Sequence, residues 1–566
     1  MKSILNIICT LMLHQILLGG TTGKLSGTLI DKETGEPLIG CNIIIEDTYL
    51  GTSSNEKGEY VLLNIPPKIY SVRFEMIGYK KLVNEGVTII SDKTTSLNGE
   101  LISSVIAGEE VIVIAEKKLI QFDVTQSEAI ISSEELEGMP VTEVSEVLRL
   151  QGGVTVDSDG GIHMRGGRTS EVSYMVDGVP MSDLYDGGIG VQIENDNIQE
   201  LQVISGTFNA EYGRALTGVV NMVTKDGGNE FEGSIHTYTG DYQSSDKTYN
   251  NLSNLNIEND YSVSASLSGP ILKDKITFYS SGRVNQSKGW LNGLQTFTIY
   301  GDTIFNDENN NRYLDGNEEQ KDPYYKGLNW HSSWSTHNKI TFNILKGTTF
   351  KINTILNSRE SQDYNFALQL LEDAQITNFN QGRFLGLSIS HTLSPTSFLQ
   401  FNVSENKYNY ESYLFEDPLD NRYITPDSLF LARLENRIPD HIIEQYGDQV
   451  QYFPAYSLYR AGVDNRRFER ETKTNNYKLD FTSQVNKYNQ IKFGLDFSSH
   501  TLMLDKYSIL DSTLTDQVYT PFIPDKESFT RSYYVRKPTE FAIYAQDKIE
   551  YGDMIINLGL RYESFN

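Results

Sequence analysis

Two stretches of this sequence set polar side chains at spacings that chemistry uses. Asp307, Asn309, Asn311, Tyr313, Asp315 and Glu318 fall at positions 1, 3, 5, 7, 9 and 12 of a twelve-residue calcium loop, which asks for hard oxygen ligands, Tyr313 offering its carbonyl. Arg312 stands where the sharp turn calls for glycine, and no flanking helix pair is readable. The stretch is therefore either a Ca2+ site that stiffens a loop or a solvated Asn/Asp-rich loop. His441-Ile442-Ile443-Glu444 matches the His-x-x-Glu that opens a zinc peptidase site, but a third ligand and a catalytic acid are lacking, so it reads as a chance match. The sequence holds no Walker loop, dinucleotide glycine fingerprint or HExxH. Its two cysteines are Cys9 and Cys41. Cys9 lies in an apolar N-terminal run, which leaves neither a disulfide framework nor a cysteine zinc cluster. No catalytic residue and no required cofactor emerges, so no enzyme is expected.

The elements that carry these stretches set the expectation. At 566 residues, with roughly 100 to 200 residues per domain, the chain should hold three or four units. Met1-Lys2, the apolar run from Ile4 to Leu18 and the small residues to Gly23 read as a Sec signal peptide over residues 1–23. Beyond it no apolar run is long enough for a spanning helix, so any membrane insertion must use strands, whose alternation hides from hydropathy averages. A formal charge of −27 argues against a nucleic-acid partner, whose phosphates need a basic surface.

Residues 229–566 alternate apolar and polar side chains with period two, in segments of about ten residues. Ile340, Phe342 and Ile344 turn at Lys346-Gly347-Thr348 into Phe350 and Ile352; Leu385, Leu387 and Ile389 turn at Ser394-Pro395-Thr396 into Leu399, Phe401 and Val403. Tyr477 to Phe481 pairs with Ile491 to Phe497, Phe541 to Ala545 with Ile556 to Tyr562, and Val263 to Leu267 with Ile276 to Tyr279 across Gly269-Pro270. Long polar stretches, 284–335, 358–383, 409–474 and 500–538, separate the hairpins. Short turns at one end and long loops at the other describe an antiparallel transmembrane β-barrel in a bacterial outer membrane. About eleven strands, an odd number, are readable, whereas single-chain barrels close with an even number. The expectation is a truncated chain holding about half of a barrel.

Upstream, strands at Lys24 to Ile30, Cys41 to Glu46, Tyr60 to Leu63 and Tyr70 to Met76, punctuated by turns, predict a small β-sandwich over 24–101. Gly35-Glu36-Pro37-Leu38, Gly51-Thr52, Gly58-Glu59-Tyr60, Pro66 and Gly78-Tyr79 resemble the carboxypeptidase regulatory-like domain, here a spacer or docking module. In the linker 102–121, Glu109, Glu110, Val111, Ile112, Val113, Ile114 and Ala115 form an apolar β-prone run framed by acids. The run resembles a TonB box, the peptide that a periplasmic protein captures as an added strand.

Residues 122–228 mix helix and strand patterns and predict a small α/β domain. Val147 to Val154, Ile162-His163-Met164-Arg165-Gly166-Gly167, Tyr174-Met175-Val176-Asp177-Gly178-Val179-Pro180, Ile198 to Val203, and Glu211-Tyr212-Gly213-Arg214-Ala215 before Gly218 to Lys225 resemble, in order, the plug domain of TonB-dependent outer-membrane receptors. Gln151 replaces the family's usual proline. Arg165, Asp177, Glu200, Glu211 and Arg214 are candidates to meet the barrel wall, with salt bridges inside the plug as the alternative.

The fold class implied is mainly β: sandwich, plug, then an incomplete barrel, about half of a barrel of about twenty-two strands. The resemblance implies a receptor in the cell outer membrane of a Gram-negative-type bacterium. It would bind a scarce extracellular small molecule, glycan or peptide and import it when TonB, energised by ExbB/ExbD, displaces the plug. A non-transporting surface or adhesion barrel is the alternative.

Overall fold

The computed structural model describes residues 22–104, 110–114 and 127–566 apart from 140, 142, 158–159, 207–208, 247–248, 300–321, 424–457, 460–461, 513–519 and 552–553. The calcium-like loop 307–318 and His441 to Glu444 lie outside the described residues, as does the stretch up to residue 21 that was expected to be a signal peptide.

The N-terminal unit is a two-sheet sandwich. Gly23–Asp31 runs antiparallel to Glu59–Ile65 and parallel to Thr94–Ser96 and Gly99–Leu101. The facing sheet orders Gly51–Ser53, Asn42–Ile45, Lys68–Glu75, Lys81–Ile89 and Glu110–Ile114. Alternate residues of both sheets meet in a core that includes Leu25, Leu29, Ile43, Ile65 and Phe74, as period-two patterning requires. At Gly27 the strand passes so close to its neighbour that a Cβ would lie 1.9 Å from the Leu97 carbonyl oxygen. Burial pushes the Cys41 thiol up to about 11, so it is an inert part of this core.

Two differences from the sequence reading fall here. Gly23 already belongs to the first strand, and Glu110–Ile114, expected in a free linker, is the last strand of the sandwich, parallel to Lys81–Glu85. Val111, partly buried, packs against the core, and the parallel ladder to Lys81–Glu85 gives the run a fixed partner.

The central α/β unit has a five-stranded sheet ordered Ser127–Ser132, Ile198–Ser205, Gly218–Thr224, Val172–Val176 and Val179–Pro180. Two short helices cover it. Ser133–Glu137 starts at Ser132, whose hydroxyl accepts from the Glu135 N–H in a reciprocal capping box, and Val144–Arg149 buries Val144, Val147 and Leu148. The core also takes in Ile355 and Phe384 from the wall outside it.

That wall is an antiparallel sheet in strict chain order: Glu232–Gly240, Asp260–Leu272, Ile276–Ser287, His331–Leu345, Thr348–Ser361, Thr377–Ser394, Ser397–Tyr413, Arg466–Gln484, Asn489–Ser508, Thr539–Tyr551 and Met554–Phe565. Arg531–Arg536 pairs with the far end of Asn489–Ser508. Pro538, which has no N–H for the ladder, separates it from Thr539–Tyr551, and its carbonyl accepts from the His500 N–H at 3.0 Å. Among the described residues the edge strands Glu232–Gly240 and Met554–Phe565 do not pair with each other, so the sheet is about half of a barrel.

Phe401, Leu479, Phe493 and Phe541 stand on the outer face, whereas Asn402, Asp480, Lys492 and Tyr544 point inward. The strands outrun the apolar band at the long-loop end, where Glu405 pairs with Arg383 and Lys473, and Lys407 with Glu471. This corrects the loop bounds read from sequence: the outer parts of 358–383, 409–474 and 500–538 continue the sheet, their backbone ladder running on past the apolar band with charged cross-strand pairs supporting it. Gly269-Pro270 is likewise not a turn; it lies inside Asp260–Leu272, and the chain reverses at Lys273 to Lys275.

Candidate functional site

Here the site is the contact between the central domain and the wall around it, built largely from tight turns. Val176 pairs with Val179 across Asp177-Gly178, and both turn residues have positive φ, 48° and 77°. This is the two-residue hairpin geometry that Asp-Gly favours. The turn fixes the Asp177 carboxylate. It accepts from the Thr224 N–H at 2.9 Å, the Thr224 hydroxyl at 2.8 Å and Asn353 Nδ2 at 2.9 Å. Lys339 Nζ lies 3.2 Å from Asp177 and 3.0 Å from Asp226, while Lys351 Nζ lies 2.6 Å from Asp226. Burial alone would raise the Asp226 carboxyl, but Lys339 and Lys351 outweigh it and hold the group well below the carboxylate range.

A second clamp lies toward the chain's last strands. Glu211 meets Lys492 at 2.6 Å and Gln546 at 3.3 Å. Burial works against its charge, and Lys492 with Lys478 overcomes that, leaving Glu211 below its ordinary value. Arg214, in a left-handed conformation (φ 57°), reaches Glu540 at 2.5 Å. A Cβ at Gly213 would meet the Arg561 guanidinium. Elsewhere Arg283 holds Glu194 at 2.8 Å, and Lys478 donates to the Gly178 carbonyl at 3.3 Å.

Near the long-loop end the central domain presents Asp183, Tyr185 and Asp186 to Arg470, which lies 3.0 Å from Asp183 and 2.8 Å from Asp186. The Arg470 guanidinium sits 4.4 Å from the Tyr185 ring centre and 5.2 Å from that of Tyr408, and Phe468 stands edge-on to Tyr185 and Tyr410. Aromatic faces around a cation, with amides such as Asn378 and Asn380 bonded to the tyrosine hydroxyls, form a patch suited to hydrogen bonding and stacking. At the short-turn end an open cavity of about 1120 Å³ is lined by the N-terminal sandwich, the central domain and the wall, with Asp226, Lys339, Tyr70 and Phe398 among its lining.

Of the residues singled out in the sequence, Asp177, Glu211 and Arg214 touch the wall. Arg165 instead makes a tight turn with Gly166 (φ 49° and 77°), Gly167 N–H donating to the Met164 carbonyl at 2.9 Å, and its guanidinium lies against Gly206. Glu200 faces the N-terminal domain: the Ser91 N–H donates to it at 3.4 Å and Gln202 Nε2 at 2.7 Å. Tyr212 turns the same way and donates to Asp92 at 3.3 Å. In the TonB-box-like run, Glu110 to Ile114 form the sandwich strand on which Ile112 and Val113 are exposed; Glu109 and Ala115 lie outside the described residues. The wall cations Lys339, Lys492 and Arg470 were not found from sequence. Their only signal was a charge at an inward position of an alternating strand.

Family models match in two places, a CarboxypepD_reg-like domain at residues 25–113 and a TonB-dependent receptor plug domain at residues 121–220. The first includes most of Glu110–Ile114, in keeping with its place in the sandwich. The TonB-dependent transporter Oar of Myxococcus xanthus is 25% identical over 277 residues, covering 45% of this chain and 26% of Oar. The TonB-dependent receptor SusC of Bacteroides thetaiotaomicron is 27% identical over 248 residues, 40% of this chain and 23% of SusC. Among solved structures, the outer membrane transporter YddB of Escherichia coli superposes with a TM-score of 0.54 at 12% identity, covering 78% of this chain and 56% of YddB. The matches thus span about a quarter of these curated relatives and a little over half of the solved transporter. These relatives are transporters and receptors, not enzymes.

Proposed function

We propose, for a chain that carries the plug domain and has the plug-in-barrel fold of the TonB-dependent receptors, an energy-coupled importer of the bacterial outer membrane. The observation that carries this reading is the way the plug is seated. Its carboxylates Asp177, Asp226, Glu194 and Glu211 are met by wall cations Lys339, Lys351, Arg283 and Lys492. Contacts of this kind hold a domain in place yet can be exchanged for water when it is pulled, because each lost ion pair is replaced by hydration. A purely structural filler would be better held by an apolar interface.

In this reading a scarce ligand, a small molecule, glycan or peptide, binds among the outer loops and the plug surface around Tyr185 and Arg470. Occupancy is relayed through the plug to its periplasmic side. TonB, driven by ExbB/ExbD, engages the chain there and draws the plug off its clamps, and the ligand passes. Coupling through Glu110 to Ile114 requires TonB to pair with, or strip, a strand already docked on Lys81–Glu85.

The test is uptake in the native bacterium with and without the gene, using labelled iron chelates, cobalamin, oligosaccharides and peptides. One class should accumulate only when the gene is present and should stop accumulating when a protonophore collapses the inner-membrane gradient. Surface binding without gradient-dependent accumulation would instead mark a non-transporting surface barrel.

A further inference from the structure

The plug is fastened to more than the wall. The turn after Lys81–Ile89, Ser91-Asp92-Lys93, leaves the N-terminal sandwich and wedges between plug and wall. Asp92 has a left-handed backbone (φ 57°), and its N–H donates to the Thr22 carbonyl at 3.1 Å, which points the carboxylate outward. That carboxylate accepts from Lys492 of the wall at 3.2 Å and from the Tyr212 hydroxyl of the plug at 3.3 Å, while Lys548 of the wall reaches the Asp92 carbonyl at 3.4 Å. Lys492 is the same cation that holds Glu211. One ammonium therefore ties three bodies together.

The flanking residues grip the plug sheet. Ser91 is fully buried, its N–H on Glu200 and its carbonyl accepting from Gln202 at 3.4 Å. Lys93 pairs with Glu128 on the adjoining strand at 2.5 Å. A ring of contacts then fastens the sandwich to the wall itself: Lys24 to Glu550, Thr94 to Glu550 at 2.8 Å, Lys487 to Glu59 at 2.6 Å, and Asn64 to Ser390 at 2.7 Å.

We infer that the N-terminal sandwich is a lock on the plug: through Ser91-Asp92-Lys93 it bridges plug and wall, and it must lift off before the plug can move. This rests on the reading of the chain as an importer whose plug is displaced, but it needs no knowledge of the ligand. A plug pulled with the sandwich in place would have to break Tyr212–Asp92, Glu200–Ser91 and Glu128–Lys93 together with its wall clamps. With the sandwich released first, only the wall clamps remain.

The test uses the full-length protein in planar lipid bilayers, with urea raised until ion conductance through the lumen begins. Asp92→Asn keeps a residue that tolerates the left-handed backbone and removes the charge, so conductance should begin at lower urea than in the parent. Joining Glu59→Cys to Lys487→Cys with a short bismaleimide tethers the sandwich to the wall without touching the plug clamps, and conductance should begin at higher urea. A tethered protein that opens at the parent's urea concentration overturns the lock, whatever the uptake experiments show; failed uptake with a shifted onset would count against import and leave the lock standing.

Discussion

Lys339 holds two plug carboxylates, Asp177 and Asp226, while only 3% of its side chain is exposed. Truncating a buried ion whose partners stay behind leaves them uncompensated, typically at 3–5 kcal/mol. Lys339→Ala should therefore cost the seated plug about 3 kcal/mol, read by calorimetry as a lower plug unfolding temperature in the full-length protein. Lys351→Ala should cost less, because its side chain is 24% exposed and, among the described residues, its ion pair is with one carboxylate, Asp226, at 2.6 Å. Equal effects would show that Lys339 does not bear the larger share. Part of this site was legible in the residues. Asp177-Gly178 is a hairpin signal wherever it falls between apolar runs, and Lys351 and Asn353 belong to the polar face of an alternating strand. Which carboxylate meets which lysine was not legible, since Asp226 and Lys339 lie more than a hundred positions apart and only the nesting of plug in wall joins them.

At the scale of elements, Glu110–Ile114 shows how a local pattern is reassigned by its surroundings. Its apolar β-branched run suits any strand partner, and the sandwich supplies one in Lys81–Glu85. Val111 faces the core and Ile112 faces solvent, 60% exposed. Val111→Asp should destabilise the sandwich by about 1 to 2 kcal/mol, as for a half-buried apolar side chain made charged, read as a lower unfolding temperature, while Ile112→Asp should leave its stability within about 0.5 kcal/mol. Hydrogen exchange of the 110–114 amides should be slow in the resting protein; exchange at the rate of an open peptide would put this strand back among free segments. The barrel hairpins were readable as elements because one face of each is apolar and the other polar, which leaves the alternation intact. Their upper ends were misread as loops because there neither face is apolar.

At the scale of the whole molecule, the contact between sandwich and plug carries its own pH dependence. Burial raises the Glu200 carboxyl to about 7, against the bonds from Ser91 and Gln202, with Glu128 adding to the rise; burial raises Asp92 in the same sense, with Lys492 opposing. A carboxyl whose docked value lies above its free value binds more protons docked than free. The docked state is therefore favoured as pH falls through the interval from about 7 toward 4.5, and the cost of ionisation is fully present above it. Limited proteolysis should release the sandwich faster at pH about 7.5 than at about 5.5, and Glu200→Gln should shrink that difference. A release rate independent of pH in the parent would show that these carboxyls do not feel the docking.

Order along the chain determined the units themselves: a sandwich from turn-punctuated short strands, a plug from blocks in a fixed succession, a barrel from period-two alternation between short turns and long loops. The sandwich and the barrel follow from local rules of backbone geometry and from which face of an element is apolar, and the plug from the resemblance of its ordered blocks to a known family. Tertiary structure alone decided how the units hold each other. It turned Glu200 and Tyr212 toward Ser91 and Asp92, set the wall's Lys492 between a carboxylate of the sandwich and one of the plug, and gave the TonB-box-like run a sheet to lie on. Electrostatic partners are chosen by distance in space, and no spacing along the chain records it.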